Sequence, residues 1–380
     1  MAEKKNPEKV TITPWEVKGE GEIDYGKLIK DFGTSRIDNA LLERIKKHTG
    51  ELHHFLRRGL FFSHRDLNLV LDEYEKGNKF FLYTGRGPSG KIHLGHMVPW
   101  IFTKWLQEKF DVDLYFQMSD DEKFLFKENL TLEQTNKLGY DNALDVIALG
   151  FDPKKTFIFS NIDYAKTLYP QALKVAKKIT FSVAKAVFGF KEENNIGQIF
   201  YTSMQAVPAF LPSILKKQNI PCLIPMAIDQ DAHFRIARDV LPRLGYLKPA
   251  AIHCKFLPSL EGVNAKMSSS SDQNIIYTTD SPEEVKKKIQ KYAFSGGKDT
   301  VEEHRKKGGN PEIDVSFQYL LYFEEDAKKL QSIYDDYKSG RMLTSELKDI
   351  LIDKLNKFLA DHQEKRAKAT KVLDKFILKD

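Results

Sequence analysis

Two histidines, His93 and His96, stand three residues apart behind the glycine-rich stretch Gly85-Arg86-Gly87-Pro88-Ser89-Gly90. This is a segment suited to phosphate. Glycines let a backbone approach a ligand closely, and a helix N-terminus offers N–H groups and partial positive charge. Three patterns overlap here. Gly85 to Gly90 fits the dinucleotide fingerprint GxGxxG, and Gly85 to Lys91 fits the first seven positions of a P-loop. His93-Leu94-Gly95-His96 fits neither. A P-loop needs a hydroxyl after its lysine to meet magnesium, and Ile92 cannot supply it. A dinucleotide site needs an acid at the end of the next strand, where Asp120 or Asp121 could serve, so that reading stays open. It leaves the histidines without a task. Placed on one face of a first helical turn, they can donate hydrogen bonds to phosphate oxygens as charge grows there, and Gly95 leaves room for a flat purine.

A second basic and hydroxyl cluster lies some 170 residues on: Lys266-Met267-Ser268-Ser269-Ser270. Other polar residues gather where strands should end. Tyr83 and Thr84 lead into the glycine turn, Gln117 to Lys123 form an acidic cluster with a lysine, and Asp229-Gln230-Asp231 close a third apolar run.

The elements that must position these groups show an α/β rhythm. "KFFLYTG", "VDLYFQMSD", "TFIFSNID" and "PCLIPMAIDQD" read as strands. Helices are expected from His93 or Leu94 to about Lys109, over "NALDVIALGFD", and over "AHFRIARDVLPRLG". Strands alternating with helices predict a parallel sheet with ligands at its carboxyl edge. Earlier, "IDNALLERIKKHTG" reads as a helix closed by Gly50, and "FSHRDLNLVLDEYEKG" as one capped by Ser63. "VTITPWEV" reads as a short extended piece after a loose, polar first dozen residues. After residue 278 the rhythm stops and helices take over, from one capped at Asp280 or Ser281 with Pro282 in its first turn to a basic tail with Leu347, Leu351, Leu355, Phe358 and Leu359 on one face. The expected division is an N-terminal extension with helices over 1–70, a Rossmann-like catalytic domain over 71–278, and a helical domain over 279–380.

Bulk properties narrow the field. The 380 residues are 41% hydrophobic and 12% aromatic, enough core for two domains. With 59 Lys and Arg against 53 Asp and Glu, the formal charge is +6, mildly basic and compatible with a nucleic acid. Cys222 and Cys254 are too far apart for a zinc ribbon or an iron–sulfur site. No apolar run is long enough for a membrane span, and the N-terminus lacks a signal peptide's apolar core. A reducing, cytoplasmic setting is expected, with no membrane partner and no protein-held metal.

HLGH and KMSSS, in this order, resemble the HIGH and KMSKS signatures of class I aminoacyl-tRNA synthetases. "YTGRGPSGKIHLGHMVPWIFTKWLQEKF", "QMSDDEKFLFK", "IPMAIDQDAHFRIARDVLPRLG" and "YAFSGGKDTVEEHRKKGG" resemble the eukaryotic-type tryptophanyl-tRNA synthetases, from about Trp15 to the C-terminus. By this reading the helical hairpin domain of some animal members is not expected ahead of the catalytic region, and the two cysteines do not match the four of the iron–sulfur members.

The resemblance implies a two-step reaction: tryptophan and ATP give tryptophanyl-adenylate and pyrophosphate, and the tryptophanyl group passes to the 3′-terminal adenosine of tRNA(Trp). It implies a homodimer and Mg²⁺ held mainly by the ATP phosphates. No protein nucleophile is needed; positioning and charge do the work. His93, His96, Lys266, Arg86 and Lys123 are the expected cations and donors, with Ser268, Ser269 and Ser270. Ser269 stands where the pattern has a second lysine, which shifts charge stabilisation toward Arg86, Lys123 and Mg²⁺. ATP is expected on Gly85, Arg86, Gly87, His93, Gly95, His96, Asp229, Gln230, Lys266 and Met267. Tryptophan offers one donor, the indole N–H. By resemblance Tyr83 and Gln117 accept it, while Glu122 meets the α-ammonium with Gln205 and Gln230. Phe294, Lys298 and Asp299 fall where the family contacts the anticodon, and the basic tail offers itself to phosphates.

A tyrosyl-tRNA synthetase would share fold and signatures but would want an acid facing the phenol, where Gln117 stands. A small-molecule adenylyl- or cytidylyltransferase shares the HxGH turn, but the helical region after KMSSS speaks against it. A non-catalytic protein on the same fold would have lost some of these residues.

Overall fold

A computed structural model describes residues 11–12, 17–18, 23–266 and 272–380. Within them a seven-stranded sheet organises the chain. Its strands are β1 (Ser35–Arg36), β2 (Phe61–Arg65), β3 (Phe81–Arg86), β4 (Asp113–Met118), β5 (Thr156–Ser160), β6 (Cys222–Ala227) and β7 (Ala250–Cys254). Their spatial order is β1-β2-β7-β6-β3-β4-β5. The five strands from β7 to β5 run parallel, and β1 and β2 are antiparallel additions at one edge. The expected parallel sheet is therefore mixed. β1 and β2 precede the α/β alternation and are added at the otherwise free edge of β7.

The expected strands are present, and β2 and β7 join them. Ser63 is not a helix cap. It lies inside β2, where its hydroxyl sits 3.0 Å from His253 Nδ1, and the helix begins at Leu67 after Asp66 in the left-handed conformation. "LFFSHR" is apolar and buried, so the strand takes the serine.

The chain order places β4 and β5 on one side of β3, and β6 and β7 on the other. Strand order thus reverses between β3 and β6, where open sheets bind ligands. The β3–β6 pairing covers only Phe81↔Cys222 and Leu82↔Leu223. Beyond it Tyr83 to Arg86 and Ile224 to Ala227 diverge and open a crevice. Pro225 falls in this opening, a place that tolerates its missing N–H. On the other side the pairing is complete, with Gly85 level with Gln117 and Arg86 with Met118.

Helices cover both faces. The first is α1 (Tyr25–Phe32) and the next, α2 (Asn39–Thr49), is closed by Gly50. After β3 comes α3 (Leu94–Phe110), which buries Leu94, Met97, Val98, Phe102 and Trp105. The helix α4 (Asp120–Phe126) follows β4, and α5 (Leu132–Ala148) follows it. The sequence marked only the second half of α5. Its first turns are polar and solvated, and the start is set by Thr131 and Gln134 in a capping box. Between β5 and β6 lie α6 (Ala165–Ala176), α7 (Phe181–Phe188) and α8 (Ile196–Met204), and α9 (Asp231–Val240) follows β6.

The C-terminal part is helical. Ser281 and Glu284 form a capping box on α10 (Pro282–Tyr292), and the chain ends with α11 (Thr344–Ala369). Leu347, Leu351, Leu355 and Leu359 of α11 are buried. Its basic half is partly engaged within the fold: Arg366 pairs with Asp145 at 2.9 Å and Asp141 at 2.7 Å, both on α5. For Arg366 this replaces the expectation of a phosphate contact. Asp145 also holds His362 at 2.9 Å and the Thr278 hydroxyl at 2.8 Å. The last residues return to the sheet. Leu378 N–H donates to Ile158 O and Ile158 N–H to Phe376 O, both at 2.7 Å, which covers the edge of β5. Among the described residues no helix is long and apolar enough to cross a membrane.

Candidate active site

The crevice between β3 and β6 becomes a pocket of about 90 Å³. Tyr83, Gly85, Arg86 and Gly87 line it from β3 and the turn behind it, Gln117 and Ser119 from the end of β4, and Glu122 from α4. Gln205 enters just after α8, and Gln230 from the turn after β6. The expected tryptophan residues thus converge on one space from five separate segments.

A chain of hydrogen bonds fixes their side chains. The Tyr201 hydroxyl donates to Gln205 Oε1. Gln205 Nε2 donates to the Tyr83 hydroxyl at 3.0 Å, which donates to Gln117 Oε1 at 2.6 Å. Gln117 Nε2 donates to Asn161 Oδ1 at 3.0 Å, and Asn161 Nδ2 to Asp121 Oδ1 at 2.8 Å. Every donor points the same way along this chain. Each of the two oxygens in its middle, Tyr83 Oη and Gln117 Oε1, keeps one of two lone pairs for a further donor. Tyr83 and Gln117 are buried at 1% and 2% exposure, so a ligand group failing to pair there leaves polar atoms unsatisfied. Asp121 ends the chain as acceptor, and burial pushes its carboxyl up to about 7 despite the Asn161 bond.

Charge is concentrated beside this relay. Glu122 receives the Lys123 ammonium at 2.5 Å and the Ser119 hydroxyl at 2.8 Å. Burial pushes the Glu122 carboxyl up, but Lys123 with Ser119 and His233 pulls it further down, and the balance lies below the usual carboxylate range. It is a buried anion at neutral pH. Burial drives the Arg86 guanidinium down to about 10, opposed by the charge of Glu122. Burial also lowers His233 to about 4, so it is neutral at pH 7.

The glycines at 85 and 87 act through packing. A Cβ at Gly85 would lie 2.8 Å from Gln117 O, and one at Gly87 would lie 2.2 Å from Lys123 Cε and 2.7 Å from Glu122 Oε2. Side chains there would force β3 away from β4 and break up the Lys123–Glu122 pair.

His93 and His96 stand at the start of α3 with rings stacked at 3.5 Å. The His93 N–H donates to His96 Nδ1 at 3.3 Å, which leaves the Nε2 edge of His96 as its donor. The turn is tied to the strand-like stretch around Tyr277: Leu94 N–H donates to Ile276 O at 3.1 Å and Thr278 N–H to Ile92 O at 3.0 Å. Lys266 ends the short strand Gly262–Lys266. The expected Met267, Ser268, Ser269 and Ser270 lie outside the described residues. Asp229 is buried, and Gln230 Nε2 donates to its Oδ2 at 3.2 Å. Phe294, Lys298 and Asp299 are not part of this site. They follow α10 in the helical part, with Phe294 47% exposed.

Sequence reasoning missed Tyr201, Asn161 and His233. Tyr201 stands four residues before Gln205, the spacing that puts two side chains on one helix face, and this was a usable signal. Asn161 reaches the site from the turn after β5 and His233 from the first turn of α9, and only the tertiary packing brings them there.

Comparison with known proteins decides the family. The class I tRNA synthetases (W and Y) match residues 75–360. The tryptophan--tRNA ligase of Sulfolobus acidocaldarius is 55% identical over 96% of this chain and 94% of its own. This chain belongs to the tryptophan--tRNA ligase family. The cytoplasmic tryptophan--tRNA ligase of Saccharomyces cerevisiae is 50% identical over 97% of this chain and 88% of its own. The crystal structure of the Plasmodium falciparum tryptophanyl-tRNA synthetase superposes with a TM-score of 0.88 at 47% identity, covering 93% of this chain and 97% of that one. Family membership settles the opening choice among phosphate patterns in favour of ATP as a substrate. The dinucleotide and P-loop readings drop out.

Proposed function

We propose that this chain is a tryptophan--tRNA ligase whose adenylation step takes place in the crevice between β3 and β6. It activates tryptophan with ATP, releases pyrophosphate, and passes the tryptophanyl group to the 3′-terminal adenosine of tRNA(Trp). Within the family, the observation that carries the amino-acid assignment is the directed Tyr201–Gln205–Tyr83–Gln117–Asn161 chain. It leaves acceptor lone pairs on Tyr83 Oη and Gln117 Oε1 toward the pocket. An indole N–H is a donor with no acceptor, and this is the partner it needs.

Glu122 takes the tryptophan α-ammonium, aided by Gln205 and Gln230. The carboxylate of tryptophan then faces Arg86 and Lys123 at the glycine turn, where it attacks the α-phosphorus of ATP. The bond to the β-phosphate oxygen breaks, and the growing negative charge on pyrophosphate is met by His93, His96 and Lys266, with Ser268, Ser269 and Ser270. Gly85, Gly87, Gly95, Asp229 and Met267 complete the ATP contacts. Magnesium enters as part of the substrate, on the phosphates of ATP. Phe294, Lys298 and Asp299 meet the anticodon, where exposed aromatic and charged side chains can stack on and pair with unpaired bases. The division at residues 70 and 278 fits this sharing of tasks.

A homodimer is supported by one apolar surface. Tyr169 and Leu173 of α6, Phe181 and Val183 of α7, and Ile196 of α8 are 45–85% exposed. Such a concentration marks an interaction face, and these helices lie beside the segments carrying Glu122 and Gln205. The cytoplasm is the proposed location, by the likeness to the yeast relative.

The test is amino-acid-dependent exchange of labelled pyrophosphate into ATP, with tryptophan and tyrosine compared. Exchange with tryptophan alone, lost in His96→Ala, is the expected result. Exchange with tyrosine instead would overturn the assignment of Tyr83 and Gln117.

A further inference from the structure

A second and larger cavity, about 380 Å³, opens beside α1 and β2. Three cationic side chains line it: Arg36, Arg57 and Lys255. No Asp or Glu is among its lining residues. Among the described residues none of the three makes a side-chain ion pair or hydrogen bond, although most other arginines of the fold do. Arg36 reaches the wall, with a guanidinium nitrogen 3.8 Å from where a Cβ on Gly26 would lie. Lys255 is half-buried and lies over the Tyr25 ring at 5.3 Å. Burial and the charge of Arg36 both hold its ammonium below the ordinary lysine range. One carboxylate stands nearby, Asp24, whose Oδ1 lies 3.2 Å from the same Gly26 Cβ position, but it is not part of the lining, and the excess of positive charge calls for an anion. Two guanidinium groups favour one with several oxygens in a plane or tetrahedron, above all a phosphate.

The remaining wall is apolar. Tyr25, Ile29 and Phe62 supply it, and the Tyr25 hydroxyl is already engaged by the Phe256 N–H at 3.1 Å. A volume of this size holds one nucleotide-sized unit, with its phosphate on the cations and its sugar or base against the apolar wall. The position matters as well. Lys255 directly follows the carboxyl end of β7, and Phe61 opens the antiparallel β2, so both lie at the sheet edge that bears the active site. β7 is two strands from β3, a lateral distance of about 10 Å. A nucleotide near an RNA 3′ end bound at the pocket lies within reach of this cavity.

We propose that Arg36, Arg57 and Lys255 form a phosphate-binding pocket that holds one nucleotide of the tRNA near its 3′ end. This rests on the tRNA(Trp) reading given above. The same chemistry would also accept the phosphate of a free nucleotide, and the experiment separates the two.

The full-length chain is compared with Arg36→Ala/Arg57→Ala, two exposed positions whose loss leaves the core intact, and with Lys255→Gln. Binding of tRNA(Trp) is titrated across a salt series, AMP is titrated separately, and tryptophan-dependent pyrophosphate exchange is measured in parallel. The double variant is expected to keep exchange within about twofold, to bind tRNA(Trp) about tenfold more weakly, and to lose about one to two from the slope of log affinity against log salt. Lys255→Gln is expected to shift the same two RNA quantities in the same direction. Unchanged tRNA affinity and slope in the double variant, with exchange intact, would overturn the proposal. So would AMP binding that the double variant loses while tRNA affinity stays the same, since that marks a free nucleotide as the occupant. Failure of exchange with tryptophan in the wild type would count against the ligase reading alone, because the pocket is judged by RNA binding and not by charging.

Discussion

Lys123 Nζ lies 2.5 Å from Glu122 Oε1, so the carboxylate proposed for the tryptophan ammonium is also the partner of its neighbour in sequence. Glu122 is 8% exposed. Its carboxyl lies below the usual range only because Lys123 and the smaller contributors outweigh burial. Without the lysine, burial dominates and the carboxyl moves up. In Lys123→Met, tryptophan should therefore bind only to the ionised fraction of Glu122. The KM for tryptophan in pyrophosphate exchange is expected to rise about tenfold per pH unit below the raised pKa, between pH 8 and 6, where the wild type is flat. Lys123→Arg should restore the flat profile. A flat profile in Lys123→Met would show that the Ser119 hydroxyl suffices to hold Glu122 ionised.

Tyr83 links the two amides of the pocket, donating to Gln117 at 2.6 Å and accepting from Gln205 at 3.0 Å. Tyr83→Phe keeps the ring and removes both bonds at a buried position. An unsatisfied buried polar group costs about 1–3 kcal/mol, and the amides of Gln117 and Gln205 become free to rotate. The kcat/KM for tryptophan is expected to fall about 10- to 100-fold, and its advantage over phenylalanine to shrink with it. The ratio of the two exchange rates measures this. An unchanged ratio would place recognition of the indole on other atoms.

The parallel core of the sheet and its carboxyl edge were legible in the sequence, because "KFFLYTG", "VDLYFQMSD", "TFIFSNID" and "PCLIPMAIDQD" are short apolar runs that end in polar clusters. The residues of the pocket were legible through those same endings and through the resemblance. What stayed hidden depends on contacts distant in sequence. Ser63 read as a cap because a serine before a periodic helix normally is one, and only pairing with β7 makes it a strand residue. Asn161 follows an apolar strand like many turn residues, and gains its role only from its hydrogen bond with Gln117 of the neighbouring strand. The cationic cavity unites residues 36, 57 and 255, and no local pattern joins them.

Arg65 and Asp231 join the start of the fold to the amino-acid pocket. Arg65 binds both carboxylate oxygens of Asp231, at 2.6 and 2.8 Å, and also donates to Phe32 O and Gly33 O at the end of α1. Asp231 further receives Arg235 at 3.0 Å and lies 3.2 Å from His253 Nε2. It follows Gln230 directly, so this clamp sets the turn carrying Asp229 and Gln230. Burial pushes the Asp231 carboxyl up, but Arg65 and His253 outweigh it and hold it far below the usual range. A depressed native pKa contributes stability that is present above the unfolded value, about 3.9, and is lost as pH falls through the native value. Asp231 thus stabilises the fold at neutral pH, and this share is withdrawn progressively as pH falls below about 4. Breaking a buried pair by removing one partner costs about 3–5 kcal/mol, partly offset here by Arg235 and His253. Arg65→Met is expected to lose stability at pH 7 by a few kcal/mol on that scale. Its deficit against the wild type should then shrink on acidification, because with the Asp231 carboxyl moved back toward its ordinary value the variant has little of this share left to lose where the wild type gives it up. Chemical denaturation at pH 7, 4 and 3 reads both effects. A destabilisation equal at all three would make the clamp a packing contact, with no electrostatic share in fixing the Gln230 turn.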